Sequence, residues 1–287
     1  MSPSQPKRTI NSVVAQHLCL SCGTCVSICP QQAITMTESP GGLLLAEIDE
    51  SSCNECGLCY RVCPGDHLTE GSLRAGEDPF VGPVIAAYCG QASDSRILQS
   101  GQSGGIATAL LSYLMDMGQI DRAIVTRMPQ DGLLRPQSIV ATTPSELLST
   151  QGSKYCPVAL NSILRYISKV QISRTAIVGL ACHFHGLRNM PQNRADGFIK
   201  IGLICERVMT FCAMDFLILK SDKPRHDVVS IRYKDKSLGG WPGDVGILDT
   251  SGNIIRVKQS IRHWCKGRFT PPRCYLCFDK MNVLADI

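Results

Sequence analysis

Two stretches, "CLSCGTCVSICP" at 19–30 and "CNECGLCYRVCP" at 53–64, repeat one pattern: C-x-x-C-x-x-C-x-x-x-C-P. Thiolates so spaced are ligands for soft metals and iron–sulfur cubanes. Three thiolates two residues apart wrap one face of a cubane, and the fourth lies too far along the turn to join them. It is left to serve a second centre. Zinc knuckles, or thiols without metal, are the competing reading, although zinc does not need the third and fourth cysteines at this spacing. A further pair, Cys274 and Cys277 in "PPRCYLCFD" (271–279), follows more than two hundred residues later. Two thiolates do not fill a four-sulfur site, so this pair needs partners from elsewhere in the chain.

Over about residues 15–66 the two runs resemble bacterial two-cluster ferredoxins, whose eight cysteines follow the same spacing. The resemblance implies a first 4Fe–4S cluster on Cys19, Cys22, Cys25 and Cys63, and a second on Cys53, Cys56, Cys59 and Cys29. It also implies an α+β fold in which "AITMTESPGGLLLAEID" between the runs makes a hairpin. Such a block moves single electrons and has no substrate of its own.

The rest of the chain must position these groups. At 287 residues, length alone predicts two domains, and an apolar fraction of 44% is ample for a packed core. Sixteen cysteines, several of them in repeated C-x-x-C groups, with no N-terminal apolar stretch of signal type, point to a reducing, cytoplasmic setting rather than a secreted disulfide scaffold. No apolar run approaches the ~20 residues of a membrane span. The net charge of +5 is spread along the chain without a nucleic-acid motif, so no nucleic-acid partner is expected.

"MSPSQPKRTI" reads as a mobile tail, and "TEGSLRAGEDPFVGP" (69–83) as the connector between domains 1–78 and 79–287. Beyond it, "GGIATALLSYLMDMG" (104–118) and "PVALNSILRYISK" (157–169) carry helical spacing. "AIVT" (123–126), "SIVATT" (138–143), "TAIVGL" (175–180) and "IKIGLIC" (199–205) read as buried strands. Strands alternating with helices predict a layered α/β domain, and the segment from "VVSIRYKD" to "GNIIRVK" reads as strands joined by turns.

Four stretches in order, "GQSGGIATALLSYLMDMGQID" (101–121), "QGSKYCPV" (151–158), "VGLACHFHGLRNM" with "IGLICERV" (178–208), and "KDKSLGGWPG" leading to "RCYLCFDKMNVLADI", are similar to the beta-subunit family of coenzyme F420-reducing hydrogenase and dehydrogenase. The resemblance covers about residues 85–287. It implies a mixed α/β flavin-binding domain after the ferredoxin-like one, holding FAD and an iron–sulfur cluster. It assigns flavin contacts to Ser103, Gly104 and Gly105, to Ser153, Lys154 and Tyr155, and to Lys236 and Trp241. Read without it, S-G-G before a helix is equally a plain N-terminal cap, "GSKY" a solvated turn and Trp-Pro-Gly a turn at a sheet edge. Family members often carry "GLPCQ" where this chain has "GLACH", a departure that bears on the hydride acceptor. They also continue past "LADI", so the chain reads as a truncated one.

Cys182 and Cys205 each end an apolar strand-like run, and sites in open α/β sheets gather beyond the carboxyl ends of strands. These two with Cys274 and Cys277 are expected to hold a third 4Fe–4S cluster; a Cys₄ zinc site or merely buried thiols are the alternatives. Cys89, Cys156, Cys212 and Cys265 join no set, with Cys212 and Cys265 as substitutes in the third. His183 and His185 are expected bystanders. The expectation is an iron–sulfur flavoprotein oxidoreductase, with no catalytic side chain assigned. It would pass electrons between a redox partner protein (ferredoxin, hydrogenase or dehydrogenase subunit), its clusters and FAD, and a small hydride acceptor such as F420. The alternative is a non-catalytic electron-transfer subunit of a larger complex.

Overall fold

The computed structural model describes residues 8–67, 78–130, 132–237 and 240–287; the tail 1–7 and most of the expected connector, 68–77, lie outside the described residues. In the cysteine-rich part, β1 (Ile34–Glu38) pairs antiparallel with β2 (Leu44–Ile48), Ile34 facing Ile48, as the expected hairpin. Helices Thr24–Ile28 and Leu58–Arg61 each begin one residue after a left-handed glycine, Gly23 (φ 80°) and Gly57 (φ 71°). Ser21 and Glu55, each just before the second cysteine of its run, share a positive φ (58° and 52°). The two runs therefore follow one backbone path, which fans three sulfurs toward a common centre.

The second part is built on a sheet ordered β4-β3-β5-β6, from β3 (Arg122–Arg127), β4 (Gln137–Ala141), β5 (Thr175–Gly179) and β6 (Ile199–Gly202). β3, β5 and β6 are parallel, and β4 runs antiparallel on the edge. The pleat sends alternate residues to opposite faces. Ala123, Val125 and Ala176 pack with Leu111 and Leu114 of helix Ile106–Asp116. Ile124 and Ile177 face the other way, onto Leu160, Leu164, Phe184 and Leu187. Ile28 and Val62 of the cysteine-rich part enter this same cluster, so it docks as a layer on that face. Each such buried aliphatic contributes about 1.5–3 kcal/mol. A second sheet, β7 (Val228–Asp235), β8 (Asp244–Asp249) and β9 (Ile254–Val257), is an antiparallel meander. Its core adds Met214, Leu217 and Cys265 from flanking helices.

The expected strands fall within one to three residues of those found. The helix expected at 157–169 is instead a 3-10 turn, Leu160–Tyr166. Its Asn161 N–H is committed to the Cys22 carbonyl (2.9 Å), which takes the segment out of α-helical bonding. Among the described residues no helix is long and apolar enough to cross a membrane.

Candidate functional site

Cys22, Cys25 and Cys63 are buried, with Cys19 partly exposed beside them. Burial, and after it the neighbouring thiols of Cys22 and Cys19, push the Cys63 thiol up to about 12. Cys25 is likewise raised, first by burial and then by Cys22, Cys19, Cys63 and Cys59. These thiols thus stand within electrostatic reach of one another. In the second group, Cys29, Cys53, Cys56 and Cys59 all line one small cavity, together with Gly57 and Leu58. Cysteines so crowded fit a site whose occupant binds several thiolates at once.

Gly23 also admits a close approach between layers. A Cβ there would lie 2.3 Å from Ser162 Oγ, 2.8 Å from Ser162 N and 2.9 Å from the Ala159 carbonyl. Gly23→Ala is expected to cost about 2–4 kcal/mol from left-handed strain and overpacking. Chemical denaturation of the intact chain reads that loss, and an unchanged midpoint would show that the layers do not meet there.

Cys182 lies on the first turn of helix Ala181–Arg188, directly after β5, and Cys205 lies three residues beyond β6. The Cys205 N–H bonds the Lys280 carbonyl (3.0 Å), and Lys280 Nζ bonds the Cys274 carbonyl (3.0 Å). Asn282 Nδ2 bonds the Gly179 carbonyl at 2.9 Å, fastening the C-terminal loop against the end of β5. Burial holds the Cys182 thiol well above its ordinary range, and Cys22, Cys205, Cys274 and Cys277 add to the rise. Cys205 is pushed up to about 12 by burial, then by Cys274 and Cys277. The expected four thiols therefore lie within electrostatic reach of one another, and Cys22 of the first set lies within reach of Cys182. Among the described residues no three of His, Cys, Asp and Glu close tightly enough to enclose a single ion. Thiols arranged around a four-iron core stand farther apart than those around one ion.

A cavity of about 400 Å³ opens at the carboxyl ends of β3 and β5. Val125, Thr126, Val178, Gly179, Leu180 and His183 line it from the sheet side. Ser103, Gly104, Gly105, Ser153 and Lys154, five of the residues to which the resemblance assigns flavin contacts, line it too. The first-turn N–H groups of helix Ile106–Asp116, which follow Gly105 (φ 74°), have no carbonyl one turn back to bond and suit an anionic group. Lys154 is partly buried, its ammonium donating to the carbonyls of Thr150 and Gln151, and desolvation lowers its pKa to about 8. Gln151 Oε1, at the same wall, is buried without a hydrogen-bond partner. Size, a free acceptor, a cation and a helix start together fit a planar, phosphate-bearing cofactor.

Three expected contacts are not brought to the cavity lining. The Tyr155 ring packs edge-on against Tyr233 in the second core (5.4 Å). Trp241 is 66% exposed. Lys236 Nζ instead bonds the carbonyls of Leu98 (2.5 Å) and Ser103 (3.1 Å), bracing the glycine loop from behind. Cys212 abuts Gly42, Cys156 and Cys265 are core residues, and Cys89 is exposed.

The histidines have defined places. The Leu180 N–H donates to His183 Nδ1 (3.0 Å), so its Nε2 carries the proton toward the Val158 carbonyl (3.1 Å). Burial lowers its pKa to about 4, leaving a neutral ring at the cavity wall. His185 Nε2 meets Asp279 Oδ2 at 2.9 Å, and Asp279 Oδ1 caps the N–H groups of Asn282 and Val283. Asn161 and Asp279 receive no role from the sequence, Asn161 lying in a segment read only as helical and Asp279 two residues after the Cys274–Cys277 pair.

Thiol sets in a cysteine-rich module, docked on an α/β sheet with a cavity at its strand ends, define a class: iron–sulfur electron-transfer proteins with a second, cofactor-sized site. Residues 18–66 match the model of the 4Fe-4S dicluster domain. Residues 87–165 match that of the N-terminal part, and 172–287 that of the C terminus, of the coenzyme F420 hydrogenase/dehydrogenase beta subunit. The chain belongs to that beta-subunit family. It is 25% identical over 219 residues to the beta chain of the coenzyme F420 hydrogenase of Methanosarcina barkeri, covering 74% of this chain and 72% of that one. To one of the chains of the F(420)H(2) dehydrogenase of Methanosarcina mazei it is 25% identical over 290 residues, covering 97% and 76%. It is 33% identical over 181 residues to the coenzyme F420-dependent sulfite reductase of Methanocaldococcus jannaschii, 63% of this chain but 26% of that larger protein. The fold is similar to a chain of the F420-reducing NiFe hydrogenase complex from Methanosarcina barkeri: TM-score 0.54, 23% identity, 73% and 71% covered.

Proposed function

We propose that this chain is an iron–sulfur flavoprotein oxidoreductase that carries electrons between a partner protein, three 4Fe–4S clusters and FAD, and exchanges a hydride with a small acceptor such as F420. One observation carries the reading. Leu180 and His183 line the cavity, while Cys182, between them where the helix begins, lies within electrostatic reach of Cys205, Cys274 and Cys277. A cofactor in the cavity and a cluster on those thiols would share one turn of backbone, with the first cluster next in line through Cys22. A bound flavin supplies the exchange between single electrons and a hydride.

The chain's own residues then have defined tasks. Ser103, Gly104 and Gly105 offer backbone N–H groups to phosphate, and Lys154 a cation. His183, neutral and doubly hydrogen-bonded, keeps a fixed apolar edge toward the ring instead of a charge. The relatives belong to F420-linked hydrogenase and dehydrogenase, which supports a redox partner protein and F420 as the acceptor to try first. Domains 1–78 and 79–287 would correspond to electron entry and to hydride exchange.

Anoxic purification with iron, sulfide and flavin analysis tests this, followed by reduction of a panel of hydride acceptors. About twelve irons per chain, a flavin spectrum and F420 reduction are expected. A chain that neither retains nor takes up flavin would overturn the oxidoreductase reading and leave an electron-transfer subunit.

A further inference from the structure

The two cysteine runs share one backbone path, yet they differ at a telling position. Thr24 follows the second cysteine and its glycine in the first run; Leu58 holds the same place in the second. Thr24 is fully buried, and its Oγ1 lies 3.3 Å from Cys22 Sγ. Asn161, also fully buried, comes from the other layer and donates through Nδ2 both to Thr24 Oγ1 (2.9 Å) and to the His183 carbonyl (2.8 Å).

The His183 carbonyl only accepts, so it fixes the amide orientation: nitrogen, not oxygen, faces Thr24. Thr24 Oγ1 therefore accepts a hydrogen bond from Asn161 and keeps its own hydrogen to donate, and Cys22 Sγ, 3.3 Å away, can only accept once it is a cluster-bound thiolate. Gly186 makes the space for this, since a Cβ there would sit 2.1 Å from Thr24 Oγ1. In the second run Leu58 has no hydroxyl to offer. The backbone contacts are shared, with the Glu55 N–H reaching Cys53 Sγ (3.4 Å) and the Ser21 N–H reaching Cys19.

We propose that the Asn161–Thr24–Cys22 chain of hydrogen bonds selectively raises the reduction potential of the first cluster. One-electron reduction makes or breaks no bond; it adds one negative charge, part of which falls on the ligand sulfurs. A donor aimed at Cys22 Sγ stabilises that charge more in the reduced state than in the oxidised one, and hydrogen bonds to sulfur are a known lever on such potentials. The first set is also the more deeply buried, and burial alone penalises added charge. Thr24 offsets this at Cys22, the first-set thiol within electrostatic reach of Cys182, where the proposed route crosses between layers.

The inference rests on the assignment of Cys22 to a cluster, and the test separates the two. EPR-monitored redox titration of the full-length, cluster-loaded chain would follow both N-terminal signals in Thr24→Val, Thr24→Ser and Asn161→Ala. Thr24→Val is expected to move one signal alone, by about tenfold in its reduced-to-oxidised ratio at fixed potential, or ~59 mV for one electron. Asn161→Ala moves the same signal in the same direction by less, and Thr24→Ser stays close to the parent. If both clusters assemble and Thr24→Val shifts neither signal, or both equally, the inference is wrong while the cluster assignment stands. If the unaltered chain lacks two N-terminal signals, the assignment itself fails.

Discussion

Cys182→Ala is expected to remove about a third of the iron and sulfide, leave both N-terminal signals reducible, and reduce hydride exchange to background. The size of the effect follows from position. Cys182 stands within electrostatic reach of Cys22 and of Cys205, Cys274 and Cys277, and sits in sequence between the cavity-lining Leu180 and His183, so losing it would sever the proposed route on both sides. The other readings give different readouts. A buried cysteine that merely packs as a small hydrophobe would be replaced by alanine at little cost, with iron content unchanged. A Cys₄ zinc site would lose zinc and keep all its iron. Metal analysis of the same sample distinguishes the three. Unchanged iron in a folded Cys182→Ala chain would end the third-cluster proposal, whatever the activity.

Much of this arrangement is legible in the chain because its determinants are local. The eight N-terminal cysteines announce themselves by spacing, which a short loop with repeated left-handed residues converts directly into converging sulfurs. Cys182 and Cys205 are legible one step further on. Each closes a β-branched run, and parallel strands deliver their ends to the same edge of the sheet. Residues that act across layers leave no trace. Asn161 and Thr24 are 137 positions apart, and nothing local to either predicts that Gly186 leaves room for their meeting. Tyr155 misleads for the opposite reason. It adjoins Lys154 in a recognisable stretch, but successive side chains of an extended segment diverge, and its ring turns into the core beside Tyr233.

Lys154 connects charge to affinity, and its environment fixes the sign of the effect. Its folded-state pKa is depressed to about 8, so between that value and the ordinary lysine range the unfolded chain binds more protons. Stability therefore rises with pH across that window, and at pH 7 the fold carries the full penalty of a desolvated ammonium. Lys154→Met is expected to raise the thermal midpoint at pH 7, with the gain shrinking as pH climbs past 8. Affinity for an anionic cofactor moves the other way. Removing the charged partner of a buried anion costs ~2 kcal/mol or more, so FAD should bind about thirtyfold weaker to Lys154→Met, and weaker still to Lys154→Glu. In the unaltered chain, affinity should fall as pH rises through about 8, because the free protein loses the proton that the complex retains. Thermal melts and calorimetric titration with FAD at several pH values read all three. A Lys154→Met chain that melts lower at pH 7 and binds FAD as well as the parent would make Lys154 a structural tie to the Thr150 and Gln151 carbonyls. Opposite movements of stability and affinity identify a charge held in place at a cost because a ligand needs it.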